Sequence, residues 1–221
     1  MNLFFFGVYP YICLVIMTLG LGIRYVGTPG EWNARSSNLF AKKSLLTGSF
    51  IFHYTIILVF FGHVVGLLFP MSVLDAVGFS VSAHTVVAGV AGMIFAPLVL
   101  IGLGILLWRR IGNPNVWAST VCMDIVVVLF IMWQACTGGW QDFFGTMPAF
   151  IPVGEWVRGV LICQPRPELM AGVPAAIKIH VVCAFAIFAM IPFSRLVHFF
   201  SIPVTWFVRP AISYRRRYEN L

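Results

Sequence analysis

Two apolar segments of this chain each contain two histidines: FHYTIILVFFGHVVG, residues 52–66, and IHVVCAFAIFAMIPFSRLVH, residues 179–198. The four histidines are His53, His63, His180 and His198. Histidine is costly inside a bilayer unless another group binds its ring nitrogens, so each of them indicates a functional site. Two pairs on two helices are what two stacked haems need as iron ligands.

The residue composition indicates a membrane protein. Hydrophobic residues make up 60% of the 221 residues and charged residues only 10%, whereas soluble proteins average about 25% charged residues. Five apolar segments reach the roughly 20 residues that cross a bilayer core. We therefore expect an all-α membrane protein with five transmembrane helices, at about 4–25, 48–69, 85–108, 117–138 and 177–200. We expect Pro97 and Pro192 to kink two of these helices without ending them, and residues 1–221 to form one domain.

Lysine and arginine are distributed unequally between the two sides of the predicted helices. Arg158, Arg166 and Lys178 are on one side. The other side has eleven: Arg24, Arg35, Lys42, Lys43, Arg109, Arg110, Arg195, Arg209, Arg215, Arg216 and Arg217. Because positively charged loops stay in the cytoplasm, we expect the N-terminus outside and the C-terminus in the cytoplasm. The net charge of +7 then reflects membrane orientation and does not indicate nucleic-acid binding.

The spacing of the histidines predicts how they pair. At about 1.5 Å per residue, His53 and His63 are about 15 Å apart, and His180 and His198 about 27 Å apart on one helix face. Since the second and fifth helices run in opposite directions, His53 and His198 fall near the cytoplasmic side, and His63 and His180 near the outer side. Each pair would clamp one haem iron across the bundle. Helix crossing and the kink at Pro192 would have to absorb the difference between the two distances.

Other readings of these residues are weaker. A lone membrane histidine often makes an interhelical hydrogen bond, but four in complementary positions favour haem. Zinc or copper would need clustered ligands, and the five cysteines form no CxxCH motif, which excludes a covalently attached c-type haem. Small residues that would admit a flat macrocycle, or equally pack helices tightly, are Gly62, Gly66, Gly89 and Gly92.

Motifs along nearly the whole chain closely resemble the gamma subunit of respiratory nitrate reductase, a membrane cytochrome b that serves a cytoplasmic molybdenum enzyme. The specific feature is the combination of HxxxxxxxxxH with a later histidine and PFSRLVH. The motifs are FFFGVYPYI (4–12), WNARSSNLFAKKSLLTGSFIFH (32–53), GHVVG (62–66), MDIVV (123–127), RPELMAGVP (166–174) and PFSRLVHFFSIPVTWF (192–207).

The resemblance implies two b-type haems, with His63 and His180 as iron ligands of the outer haem and His53 and His198 as iron ligands of the inner one. It also implies that the subunit oxidises a quinol, menaquinol or ubiquinol, beside the outer haem. The electrons would pass to an iron–sulfur subunit and then to a molybdenum catalytic subunit that reduces nitrate. We therefore expect a multi-pass protein of the prokaryotic inner (cytoplasmic) membrane, in contact with lipid.

Two alternatives remain open at this stage. One is a similar quinone-linked cytochrome b of a sulfite, heterodisulfide or nitrite-oxidising complex. The other belongs to a different class, a haem-free transporter, which would show no Soret absorption.

His84, at the outer start of the third helix, has no partner histidine in its leaflet. Because histidine changes charge near neutral pH, it is a candidate catalytic residue that hydrogen-bonds quinol or accepts its proton. The alternative is an ordinary interfacial histidine.

The outer segment 140–176, to which we assign Asp142, is expected to lie on the membrane surface, either covering the quinol site or as an inert loop.

Asp124 is the acidic residue well inside a predicted helix, and it needs a basic partner. Arg109, Arg110 and Arg195 are on the same side of the membrane. Arg195 is also one turn from His198, so we predict that it binds a haem propionate or extends to the interface.

Overall fold

The structure, a computed structural model, describes residues 2–28, 41–144 and 149–200. It is helical, and five of its helices are long and apolar enough to cross a membrane, which confirms the predicted number. Those five are α1 (Phe4–Gly27), α2 (Lys42–Leu68), α4 (Val81–Gly112), α6 (Cys122–Phe144) and α8 (Ala175–Met190). Three shorter helices are α3 (Met71–Ala76), α5 (Pro114–Trp117) and α7 (Phe150–Leu161).

The long helices pack in the order α2, α4, α6, α8, α1. Small residues allow the close approaches, as is usual for membrane helices. A Cβ at Gly102 of α4 would lie 2.8 Å from the backbone nitrogen of Phe52 in α2, and one at Gly139 of α6 would lie 2.8 Å from Ala96 of α4. Within the described residues the backbones of α2 and α8 are not among the closely packed pairs. Helix α2 carries His53 and His63, α8 carries His180, and His198 lies in the chain that follows α8.

One end of the bundle collects the basic residues, and we call it the basic end. Arg109 Nε donates to the carbonyl of Ala41 just before α2, and Arg110 forms an ion pair with Asp124 of α6. Of the eleven residues on the predicted cytoplasmic side, those at the described basic end are Arg24, Lys42, Lys43, Arg109, Arg110 and Arg195. The other five, Arg35, Arg209, Arg215, Arg216 and Arg217, lie outside the described residues.

The two intramembrane prolines behave differently. Pro97 lies inside α4, which continues past it as expected. The prediction that Pro192 only kinks the fifth helix is wrong, because α8 ends at Met190. Proline lacks an N–H, and its ring clashes with the preceding turn. A 3₁₀ turn, Ile191–Phe193, follows, and then an extended residue, Ser194, with φ −129° and ψ 178°.

Helix α1 stabilises this break. Arg24 Nη1 donates to the carbonyls of Pro192, at 2.7 Å, and of Ser194, at 3.2 Å. These carbonyls lie past the end of the α-helix, where acceptors need outside donors. A Cβ at Gly20 would lie 2.7 Å from Pro192 Cγ, so only glycine lets α1 approach here. A second 3₁₀ segment, Arg195–Phe200, then carries His198.

The end of the bundle opposite the basic end contains much of the buried core. Trp156 of α7 is fully buried. Its Nε1 donates to the carbonyl of Phe6 at 2.8 Å, and its ring packs edge-on against Phe185 of α8. Helix α7 therefore packs against the bundle, and the expectation that residues 140–176 lie on the membrane surface stays a prediction. Asp142 is not in a loop, because α6 extends to Phe144 and places this carboxylate against Gly92 of α4.

Trp156→Ala should lower the free energy of unfolding by about 3–5 kcal/mol, because it leaves a large cavity and an unpaired carbonyl. Denaturant titration of the purified protein in detergent measures this. Trp140→Ala is the matched control, since Trp140 is 60% exposed, and its change should stay within about 0.5 kcal/mol. Equal effects of the two substitutions would contradict the assignment of Trp156 to the core.

Candidate functional site

The four histidines meet in two pairs between α2 and the chain around α8. The rings of His53 and His198 have their centres 6.0 Å apart at an interplanar angle of 67°. The rings of His63 and His180 have their centres 6.2 Å apart at 14°. The pairs are the ones expected from helix direction, and the His53–His198 pair is the one nearer the basic end.

The two histidines of α2 are held by their own helix. His53 Nδ1 lies 2.8 Å from the carbonyl oxygen of Ser49 and 3.1 Å from its hydroxyl. His63 Nδ1 lies 2.8 Å from the carbonyl oxygen of Val59. Both carbonyls come from the residue four positions earlier, so the helix itself fixes the ring orientation.

The two histidines of the C-terminal half are held differently. His180 Nδ1 lies 3.0 Å from Thr137 Oγ1 of α6, and this hydroxyl is also within hydrogen-bond distance of the carbonyl of Trp133. A Cβ at Gly138 would lie 3.1 Å from His180 Cε1, so this glycine makes room for the ring. His198 Nδ1 contacts the carbonyl oxygen of Arg195.

These contacts define what the histidine pairs can bind. A carbonyl only accepts, so Nδ1 of His53, His63 and His198 carries the proton, and Nε2 is left with a lone pair. Two metal–nitrogen bonds of about 2 Å in line, plus the half-width of each ring, put the ring centres about 6 Å apart. The observed 6.0 and 6.2 Å match this value. The residues present therefore fit two bis-histidine haem sites.

Clustered metal ligands of another kind are not found in the part of the chain that the structure describes. Groups of three or more His, Cys, Asp or Glu side chains that could hold an ion do not occur there.

His84 lies close to the His63–His180 pair. Its Nε2 is 3.0 Å from where a Cβ of Gly66 would be, and Gly66 is one turn from His63. Its ring packs on Phe150 with the centres 4.0 Å apart. His84 is 7% exposed, and its Nδ1 has no hydrogen-bond partner among the described residues. His84 is thus enclosed by protein, and its catalytic role stays a prediction.

The helix that carries His63 changes its geometry directly after this residue. Val64–Leu68 forms a π-helical turn, a form that often occurs at functional sites. Arg158 of α7 donates to the carbonyl of Leu67 at 2.8 Å. A cavity of about 40 Å³ lies between Gly66, Phe150 and Arg158, which is enough for water but not for a quinol ring.

Asp124 has the basic partner that its position requires. Arg110 Nη1 lies 3.0 Å from Asp124 Oδ2, and Arg195 Nε lies 2.5 Å from Asp124 Oδ1. Arg195 Nη2 also donates to the carbonyl of Ser119. That Arg195 binds a haem propionate stays a prediction.

Sequence reasoning missed the residues that orient the histidines. Ser49 and Val59 could have been found, because a helical histidine can reach the carbonyl four residues earlier. Thr137 and Gly138 gave no signal, since their role depends on how α6 packs against α8.

The fold and the paired histidines describe a multi-pass helical membrane protein with two candidate cofactor sites. The family model "Nitrate reductase gamma subunit" matches residues 2–217. The nitrate reductase gamma chain of Bacillus subtilis (strain 168) is 33% identical over 215 residues, which cover 96% of both chains. The respiratory nitrate reductase 2 gamma chain of Escherichia coli (strain K12) is 34% identical over 219 residues, covering 95% of this chain and 94% of the relative.

A nitrate reductase-like protein, NarX, of Mycobacterium tuberculosis (strain ATCC 25618 / H37Rv) is 36% identical over 225 residues. The match covers 97% of this chain, and the chain spans about a third (34%) of the length of that relative. This chain belongs to the nitrate reductase gamma subunit family, which confirms the resemblance seen in its motifs.

Gly138→Val should push the His180 ring aside and increase the 6.2 Å separation from His63, because the added methyl groups need the space that the imidazole fills. The His53–His198 separation should not change. Structure determination of the variant measures both distances. Gly104→Val is the control, since a Cβ at Gly104 meets no atom within 4 Å. An unchanged His63–His180 separation in the Gly138 variant would contradict this role for the glycine.

Proposed function

We propose that this chain is the quinol-oxidising membrane subunit of a nitrate reductase complex and binds two b-type haems. His53 and His198 would ligate one iron, and His63 and His180 the other. The geometry of the four histidines carries this proposal, because each pair has the spacing of a bis-histidine site and each Nδ1 is held by a protein oxygen. Histidines that only formed hydrogen bonds with one another would need neither this spacing between ring centres nor an oxygen at each Nδ1.

Bound at these positions, two haems supply one-electron carriers that connect the two ends of the bundle. The protein's part is to hold the imidazoles at a fixed distance and orientation. Protonated Nδ1 atoms bound to carbonyls also make the opposite nitrogens better electron donors toward a metal. Because α2 and α8 are apolar enough to cross a membrane, lipid and protein would keep water away from the pairs.

Quinol oxidation to quinone releases two electrons and two protons, and we assign it to the end of the bundle opposite the basic end. His84 lies there, next to Gly66 and within reach of the turn that carries His63. Its Nδ1, which has no hydrogen-bond partner within the described ranges, would bind a quinol hydroxyl or accept its proton.

The orientation follows from the basic end. Positively charged segments remain in the cytoplasm, so the arginine-bearing ends of α1 and α4 and the segment Arg195–Phe200 after α8 would face it, with the N-terminus outside. An iron–sulfur subunit at this face would receive the electrons and pass them to a molybdenum subunit that reduces nitrate. Protons from quinol would leave on the outer side of a bacterial inner membrane.

A reduced-minus-oxidised optical spectrum of the purified complex should show two b-type components. His63→Ala or His180→Ala should remove one component, and His53→Ala or His198→Ala the other, because each substitution deletes one of two axial ligands. His84→Ala should keep both. A wild-type complex without Soret absorption would instead support a haem-free transporter.

Turnover with nitrate as electron acceptor separates this complex from sulfite-, heterodisulfide- or nitrite-linked ones.

His84→Ala should lower the rate of quinol oxidation by about a hundredfold or more, the lower end of the range for a positioned acid or base. His84→Asn is the matched variant, because an amide can hydrogen-bond quinol but cannot take its proton. If His84 only positions quinol, the Asn variant should recover most of the activity. Unchanged turnover in the Ala variant, with both haem components present, would remove His84 from the site.

A further inference from the structure

His198 differs from the other three paired histidines in its secondary structure. His53, His63 and His180 lie on α-helices, whereas His198 lies on the 3₁₀ segment Arg195–Phe200 that follows the break at Ser194. The i→i+3 hydrogen bonds of a 3₁₀-helix have poorer geometry than the hydrogen bonds of an α-helix. Its own segment alone therefore fixes the His198 ring less firmly than an α-helix fixes the other rings.

Asp124 supplies an anchor for this segment from outside. Its carboxylate is buried, with the side chain 2% exposed, and both oxygens are engaged. Oδ1 accepts from Arg195 Nε, and Oδ2 accepts from Arg110 Nη1 and, at 3.2 Å, from the backbone N–H of Val121. A buried carboxylate with several charge-assisted hydrogen bonds has a defined position.

Arg195 connects this anchor to the histidine. Its guanidinium binds Asp124 and the carbonyl of Ser119, and its own carbonyl oxygen contacts His198 Nδ1. The same residue thus joins a fixed carboxylate on α6 to the atom that sets the ring orientation of His198.

We propose that Asp124 is a positioning residue for His198, acting through the side chain and the backbone carbonyl of Arg195. This inference rests on the proposed function, in which His198 ligates a haem iron with His53. Outer contacts that orient a metal ligand are part of such a site, and their loss weakens metal binding by about 10–100-fold.

The angle between the two imidazole planes gives a readout that general loss of stability would not produce. The planes are 67° apart in the His53–His198 pair and 14° apart in the His63–His180 pair. Nearly perpendicular planes give a low-spin ferric signal at lower magnetic field than nearly parallel planes. Electron paramagnetic resonance of the oxidised complex can therefore follow each haem separately.

The test uses Asp124→Asn, Arg195→Leu and the double variant in the purified complex. In each we expect the signal of the His53–His198 haem to shift, or its occupancy to fall by about tenfold or more, while the His63–His180 signal stays unchanged. Because Asp124 acts through Arg195, the double variant should be no worse than the more severe single variant. Asp124→Glu keeps the carboxylate and should recover part of the signal.

Arg110→Gln is the matched control, because it removes the other ion pair of Asp124 and leaves the contact with Arg195 in place. It should keep the position of the His53–His198 signal. An unchanged signal in Asp124→Asn, effects that add in the double variant, or equal loss of both haems would overturn the inference. A wild-type complex without either haem would instead overturn the proposed function.

Discussion

The whole site depends on how an imidazole is satisfied inside an apolar bundle. A polar ring nitrogen without a partner is costly in a membrane-spanning segment, and each paired histidine meets this requirement with an oxygen that binds Nδ1. The oxygen is a carbonyl of the same helix for His53 and His63 and a threonine hydroxyl of α6 for His180. The consequence is the same in each case, because an oxygen occupies Nδ1 and the other ring nitrogen, Nε2, is the one left to bind a metal.

The histidines of α2 are oriented by carbonyls of their own helix, whereas those of the C-terminal half depend on contacts that start from α6. Thr137 of α6 orients His180, and Asp124, near the start of the same helix, holds Arg195 beside His198. The two contacts are thirteen residues apart, about 20 Å along the helix axis. Helix α6, between α4 and α8, thus supports one histidine of each pair, His180 directly and His198 through Arg195.

The sequence was sufficient for the features that follow from periodicity and charge. Hydropathy predicted five helices, and opposite helix directions predicted that His53 meets His198. The role of Thr137 could not be predicted, because it depends on the packing of α6 against α8. The burial of α7 was also missed, since its Trp156 resembles an interfacial aromatic residue until Phe6 and α8 are seen to enclose it. A sequence pattern describes one helix at a time, whereas these contacts form between two helices.

The break after α8 resolves the mismatch between the two histidine spacings. On one straight helix His180 and His198 would be about 27 Å apart, but their partners on α2 are only about 15 Å apart along its axis. Pro192 ends the helix, and the extended Ser194 redirects the chain, so His198 does not continue the axis of α8. The ends that this break exposes are bound by Arg24 of α1. Bringing His198 opposite His53 therefore requires a break after α8, and the contacts of Arg24 with the carbonyls of Pro192 and Ser194 hold the chain in this conformation.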